Sequence, residues 1–418
     1  MKIAIIGAGI AGNTIAWHLH KKHDITLFEA DKHIGGHTHT HQIQAFGRQY
    51  NIDTGFIVYN DWTYPNFIEM LEKLGVETQP SNMSFSVRDE ISGLEYNGTS
   101  LNSLFAQRRN FFNPKFLWMI REILRFNKES PKLLESIDDI SFGEYLEKNQ
   151  YSHGFIKNYI IPMGSAIWSA DPKQMLDFPA KFFIRFFHNH GMLSVSNRPQ
   201  WRVIKGGSEA YVKKLTAEFV ERIKVNTPIE AVTRYQDKVM VKPHGGIEEK
   251  FDWVFFACHS DQALRLLTDP SNDEQSILSA LPYQNNQIVL HTDAKLMPKK
   301  RLAWAAWNYH LTKKPLGLAA VTYNMNILQS LESPEPFLVT LNHTEGIDPA
   351  KVIKTLNYSH PVFTAEGIVA QSKHAIISGI NRTAYAGAYW RNGFHEDGVV
   401  SGLTALKHFE AAQAKVIV

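Results

Sequence analysis

Residues 2–6 (KIAII) form an unbroken apolar run without polar alternation, which predicts a parallel strand buried on both faces. Gly7, Gly9 and Gly12 follow at once, then a helical pattern to about residue 21, then a second apolar run at 25–28 that ends in Glu29. The opening therefore reads strand, glycine turn, helix, strand, acid. Residues 65–74 have helical periodicity closed by Gly75, and 76–87 contain extended pieces. The stretch 104–134 is helical in pattern, basic and aromatic, and a second such stretch spans 178–190. Residues 204–207 (IKGG) open a helix to about 219; 223–225, 231–234 and 239–242 alternate like antiparallel strands, and 253–257 read as a buried strand. From 288 to about 378 strand-like runs mix with Pro- and Gly-containing turns. The chain closes with Tyr385-Ala386-Gly387, a loop and a helix expected to begin near Gly398.

The α/β signals sit at the start, middle and end. They predict an α/β protein in which a doubly wound domain is assembled from 1–80, 196–280 and 378–418, with an α+β domain from 81–195 and 281–377 inserted. At 418 residues, 44% apolar and 20% charged, the chain has material for more than one core and is neither disordered nor fibrous in composition. Lys plus Arg (44) against Asp plus Glu (41) gives +3, so no nucleic-acid partner is expected. A single cysteine, Cys258, excludes an internal disulfide and a thiolate cluster and fits a cytoplasmic location. The N-terminal apolar run is broken by glycines and lacks a cleavage region, so it reads as the first strand and not as a signal peptide. No apolar run approaches the roughly 18 residues of a membrane span, which leaves peripheral contact as the membrane option.

GAGIAG carries the dinucleotide fingerprint in its full context, with a strand before, a helix after and Glu29 twenty residues beyond Gly9. Gly7 permits the tight turn, Gly9 leaves room for a pyrophosphate against the backbone, and Gly12 lets helix and strand pack closely. The helix N-terminus offers N–H groups and partial positive charge to phosphates, and Glu29 can accept hydrogen bonds from a ribose.

Beyond Glu29 the chain continues through ADKHIGGHT (30–38), with its Gly35-Gly36 pair, to Asp53-Thr54-Gly55. Together with Lys205-Gly206-Gly207, the 254–257 strand, Ala386-Gly387 and the 398–402 segment (GVVSG), this resembles the flavin-dependent amine oxidase and phytoene desaturase superfamily. The resemblance implies a Rossmann-type FAD-binding domain with noncovalent FAD. The implied cofactor contacts are Gly7, Gly9, Ile10, Ala11, Gly12, Glu29, Ala30, Gly35, Gly36, His37, Thr38, Asp53, Thr54, Gly55, Ile229, Gly387, Gly398 and Val399, the last two on a helix whose N-terminus faces the flavin ring. The chain departs from the family at His37, where Arg is frequent, and at Cys258-His259, where Pro is frequent. More narrowly, it resembles bacterial flavoproteins related to the N-terminal flavin domain of plant cyclopropane fatty acid synthases. That implies an FAD-dependent oxidoreductase taking a hydride from a C–H bond of a fatty acyl or lipid chain. An amine oxidase, a non-redox flavin isomerase or mutase, and a nucleotide-binding partner of a lipid-modifying enzyme are the alternatives.

His37, His39 and His41 share one side if extended, but no carboxylate or thiolate lies at a suitable spacing, so no metal is expected. His37 alone can donate to a phosphate or ribose oxygen. His395-Glu396-Asp397 precede the last helix, where an acid or base at the ring is conceivable and helix capping by Asp397 is favoured. No catalytic acid or base is assigned, and Cys258 reads as a packed thiol. Trp168, Trp304, Trp307, Tyr309, Tyr323 and Phe394 are candidates for an aromatic tunnel around an apolar substrate. The 104–132 stretch interleaves seven Lys and Arg with aromatics against Glu122 and Glu129 alone, which suits an anionic bilayer surface, although burial inside the inserted domain is the favoured reading of both basic-aromatic stretches.

Overall fold

Five strands drawn from four distant stretches of chain build one parallel sheet. The computed structural model describes residues 1–137, 140–314 and 316–416. It places Lys2–Ile6 between Asp24–Phe28 and Trp253–Phe256, with Ile223–Lys224 and Thr383–Tyr385 at the two edges. Residues 138, 139 and 315 of the expected substrate segments, and 417 and 418 of the last cofactor segment, lie outside the described residues.

Period-two alternation of a continuous apolar strand sends its side chains to both faces, and both are covered. Ile3 and Ile5 pack with Ile15, Ala16 and Leu27 on the side of the helices Ile10–Leu19 and His395–Val416. Ala4 and Ile6 pack with Val232, Val241 and Phe251 on the other side, beneath an antiparallel sheet of Ile229–Arg234, Val239–Pro243 and Glu249–Phe251. Each fully buried Ile contributes roughly 2–3 kcal/mol of transfer free energy. The fold is therefore the expected Rossmann-type α/β arrangement. One strand differs from the reading above: Ile223 runs parallel beside Leu27 and does not join the antiparallel set. A two-residue strand has too little pattern to name its partner.

The second large sheet has seven strands in the order Val352–Pro361, Tyr283–His291, Leu338–Leu341, Val321–Asn324, Trp307–Leu311, Phe85–Asp89 and Glu95–Asn97. Its pairs are antiparallel except Trp307–Leu311 with Phe85–Asp89. The helices Pro114–Glu129, Ile161–Trp168 and Ala180–Asn189 bury their apolar faces in the same cluster as this sheet. The continuous helical stretch expected at 104–134 is broken into tight turns at Arg108–Phe112 and Ser130–Glu135 around the helix Pro114–Glu129. Pro114 sits at its first position, and the Asn113 side chain accepts the N–H groups of Lys115 and Phe116 at 3.1 and 3.3 Å. In Ala180–Asn189, Phe183, Ile184, Phe186 and Phe187 are buried. Among the described residues no helix is long and apolar enough to cross a membrane.

Candidate functional site

A cavity of about 660 Å³ opens at the carboxyl ends of the central parallel strands and continues along the seven-stranded sheet. Its first end is made of backbone. Gly7 has φ +105°, and a Cβ there would lie 2.7 Å from the carbonyl oxygen of Ala257. A Cβ on Gly12 would lie 1.9 Å from the carbonyl oxygen of Gly7, so only glycine permits this helix–strand contact. Gly9 is the opposite case: its Cβ position has nothing within 4 Å, and the residue lines the cavity at the uncapped N-terminus of Ile10–Leu19. This leaves the room and the N–H groups that a pyrophosphate requires.

Glu29 closes the same end. Its carboxylate accepts the N–H of Ala8 at 2.8 Å and the N–H of Asp31 at 2.9 Å, which fixes its orientation, and each oxygen keeps capacity for a hydroxyl from the cavity. The Gly35-Gly36 turn folds directly onto Gly9, with Cα of Gly9 3.1 Å from where a Cβ on Gly36 would be. The His37 imidazole lines the cavity with Nε2 buried and unpartnered, and burial holds its pKa well below the ordinary histidine value. An orphaned buried nitrogen facing a cavity is a position for a ligand atom. An open glycine cradle, an oriented carboxylate and that nitrogen together fit a dinucleotide cofactor.

Of the residues expected at a cofactor, Gly7, Gly9, Ile10, Ala11, Glu29, Ala30, Gly35, Gly36, His37, Thr54, Gly55, Ile229 and Gly387 line the cavity. Gly12, Thr38, Asp53, Gly398 and Val399 do not, and each is placed by a different constraint. Asp53 is fully buried and accepts from Ser208 N–H at 2.9 Å, from Ser208 Oγ at 2.8 Å and from Thr40 Oγ1 at 2.5 Å, so it clamps the Gly206-Gly207 turn. Burial raises its pKa to about 6 despite those hydrogen bonds. Thr38 Oγ1 meets Tyr211 OH at 2.8 Å, which meets His395 Nε2 at 2.6 Å.

The last helix corrects the sequence reading. It begins at His395 and not near Gly398, because Asp397 accepts the N–H of Phe394 at 2.9 Å and so caps one turn earlier. Residues 392–395 line the cavity in its place. Gly398 is a packing glycine, with a would-be Cβ 2.5 Å from Cγ2 of Ile10, and Val399 is buried among Phe67, Tyr211 and Leu215. Glu396 is taken up by the N–H groups of Asn66 and Phe67 at 3.1 and 2.9 Å. His395 stacks on Phe56 at 3.7 Å between ring centroids, and burial pushes its pKa down to about 3, so the imidazole is neutral.

The other end of the cavity is made of side chains. Trp168, Trp307, Tyr323 and Phe394 line it as expected. Trp304 and Tyr309 do not: Trp304 Nε1 donates to the carbonyl of Pro298 at 2.8 Å, and Tyr309 is buried in the core behind. Sequence reading missed Phe186, His190, Trp201, Tyr358, His360 and Phe363, which join the wall from three further segments. The Phe-rich pattern at 182–187 and the alternate positions 358 and 360 were the available signals. Among the described residues, the only lining Asp, Glu, Lys or Arg are Glu29 and Arg265, Glu29 at the glycine end and Arg265 on the helix Ser260–Leu266 that follows Cys258 and His259. The lining histidines are uncharged: burial lowers His190 and His360 to about 4. The Cys258 thiol, also in the wall, is pushed up to about 12 by burial and stays protonated.

The chain matches the family of flavin-containing amine oxidoreductases over residues 10–321. A curated relative, carotenoid phi-ring synthase of Chlorobaculum tepidum, is 26% identical over 207 residues, which is 46% of this chain and 31% of the relative. The chain thus spans about a third of the length of that relative. Among solved structures, a CLA-producing fatty acid isomerase from P. acnes superposes with TM-score 0.69 at 17% identity, covering 97% of this chain and 98% of the other. Cyclohexylamine oxidase from Brevibacterium oxydans gives 0.69 at 15% identity, covering 99% of each chain. A putative protoporphyrinogen oxidase from Exiguobacterium gives 0.69 at 16% identity, covering 98% of each. At these identities the likeness is one of fold.

Proposed function

Since the chain belongs to the flavin-containing amine oxidoreductase family and is an FAD-dependent oxidoreductase, we propose that it takes a hydride from a C–H bond of an apolar substrate, a fatty acyl or lipid chain. The observation that carries this reading is the aromatic chamber: among the described residues, the lining away from Glu29 and Arg265 has neither a carboxylate to pair an ammonium nor a Lys or Arg to pair a headgroup. An amine would enter as a cation, and desolvating it here with no carboxylate to pair it is costly. The fold shared with a fatty acid isomerase, and the sequence kinship with a carotenoid synthase, agree with an apolar chain as substrate.

In this reading Glu29 would hold the adenosine ribose, Gly9 and the N-terminus of Ile10–Leu19 would receive the pyrophosphate, and His37 Nε2 would meet a polar atom of the cofactor. FAD held there would supply a two-electron acceptor for the hydride, reoxidised by oxygen or another acceptor. The chain supplies position and dryness. Trp168, Phe186, Trp307 and Phe394 hold the acyl chain and exclude water, and the neutral His190, His360 and His395 add no charge to the reacting centre.

Anaerobic addition of fatty acids or acyl lipids to the purified yellow protein is expected to bleach the flavin bands, and equal addition of primary amines to leave them. Bleaching by amines alone would overturn the reading. The isomerase likeness favours one second outcome: a double bond that moves only after the flavin is reduced in advance, with no net bleaching. A flavin inert to every lipid in either state would leave the chain as the partner of a lipid-modifying enzyme.

A further inference from the structure

An exposed apolar surface lies on the helical side of the molecule, and none of its side chains lines the cavity. Phe112 is 90% exposed and Leu101 76%, and Phe111, Leu117, Trp118 and Leu124 are about half exposed. The helix Pro114–Glu129 turns Phe116, Met119, Glu122 and Phe126 inward. By the helical period this leaves Leu117, Trp118, Arg121, Leu124 and Lys128 on the outer face. The short helix Leu101–Leu104 packs beside Arg301–Ala303, which brings the exposed Leu302 and the run Lys299-Lys300-Arg301 to the same side.

Charge on this surface is predominantly positive. Glu122 and Glu129 are the only acids between residues 101 and 132; Glu122 faces inward, accepting the N–H of Ser152 at 2.8 Å, and Glu129 is half-buried at the last position of the helix. Arg108, Arg109, Lys115, Arg121, Lys299 and Lys300 are exposed, and among the described residues none has a carboxylate partner. Arg108 and Arg109 bond only to side-chain or backbone oxygens of Asn102, Phe105 and Gly93. The Arg121 guanidinium lies over the Trp118 ring at 4.9 Å and that of Arg301 over Trp304 at 5.1 Å.

We infer that this face docks the protein on an anionic lipid bilayer. Exposed rings and leucines interleaved with unpaired cations match the two layers of a membrane surface, apolar groups entering the acyl boundary while the cations stay among the headgroup phosphates. The stacked guanidinium–indole pairs carry both functions in one unit. Each cation near an anionic surface strengthens binding by about fivefold, and the effect is screened by salt. The inference is independent of the substrate reading, because its readout is binding.

The test is cosedimentation of the FAD-loaded full-length protein with phosphatidylglycerol vesicles and with phosphatidylcholine vesicles. The protein is expected on phosphatidylglycerol, not on phosphatidylcholine, and released as salt is raised. F112S/W118S should weaken partitioning by about tenfold or more, and K299E/K300E by at least about fivefold. Flavin absorbance and melting temperature should be unchanged, since these side chains contribute little to the core. Failure of the wild type to bind phosphatidylglycerol would overturn the inference, as would variants that bind equally well. A wild-type dimer that F112S/W118S turns into a monomer, without vesicle binding, would assign the face to a second copy of the chain instead.

Discussion

The two ends of the cavity are built from different material. At the glycine end the wall is backbone against backbone, so close that a Cβ on Gly7 would lie 2.7 Å from Ala257 and one on Gly55 2.1 Å from His37. At the aromatic end the wall is Trp168, Phe186, Trp201, Trp307, Tyr323 and Phe394, each from a different part of the chain. Backbone contacts at van der Waals limit admit one residue type, whereas a side-chain wall admits many combinations of equal volume at a cost of less than about 1.5 kcal/mol per swap. The first end suits a ligand that never changes. The second is where substrate choice can vary.

Acid is expected to disturb the molecule most, through buried histidines both in the cavity wall and away from it. Burial keeps the pKa of His41, His190 and His291 at about 4, of His395 at about 3, and of His310 well below the ordinary 6.5. These groups are neutral in the fold and protonate in the unfolded chain, so their contribution is present above 6.5 and is lost as pH falls toward the folded values. Asp53 and Asp397, raised to about 6 by burial, act in the opposite sense: their contribution is full below the ordinary 3.8 and is lost as pH rises through 6. The histidines with lowered values outnumber these two carboxylates, so the net effect is a loss of stability as pH falls below 6.5. Denaturant midpoints measured from pH 7 to 4 should therefore fall steeply, and a flat profile would contradict the neutral, buried histidines.

Next in size is Gly12→Ala, for which about 3 kcal/mol or more of overpacking is expected, with a lower melting temperature and loss of flavin together. Gly9→Ala separates the two effects. Its Cβ meets no protein atom, so the melting temperature of the flavin-free protein should hold while FAD affinity falls at least about tenfold. Equal damage to both properties in Gly9→Ala would show that the open space at Gly9 is not the pyrophosphate seat.

A smaller effect is expected for Glu29→Ala, which removes an acceptor of two backbone N–H groups and, in the proposed reading, of the ribose hydroxyls. Flavin titration by fluorescence quenching should show affinity reduced by about 10- to 100-fold, the size of one or two charge-assisted hydrogen bonds. The smallest is Trp307→Phe at the other end, with normal flavin content, a stability change below about 1.5 kcal/mol, and KM for long acyl chains altered more than kcat. A Trp307→Phe protein that loses its flavin would mean that the two ends are not separable.

The legibility of the chain follows the same division. The strand 2–6, the glycine turn and Glu29 could be read directly, since a buried parallel strand and a tight turn impose local patterns on adjacent residues. Asp53 was singled out for a cofactor, yet it serves the turn at Ser208, a distance of 155 residues that no local pattern records. His395 was placed before the last helix and in fact begins it, because the cap from Asp397 and the clamp of Glu396 on Asn66 and Phe67 both depend on neighbours brought in by folding. The aromatic tunnel was half visible: Trp304 lies in an irregular segment, where composition says nothing of direction, and Tyr309, two residues along the strand from Trp307, is covered by core packing that the strand's own pattern does not record.

By itself, then, the sequence determined the class of fold, the dinucleotide turn and the family of the chain, because these depend on short-range sterics, period and spacing that survive in one dimension. Tertiary structure alone decided which aromatics meet in one chamber, that among the described residues Glu29 and Arg265 are the only Asp, Glu, Lys or Arg lining its cavity, and which basic helix face is left outside. Those properties belong to surfaces assembled from distant segments, and burial, which sets both the neutrality of the histidines and the exposure of Phe112, exists only once the chain is packed.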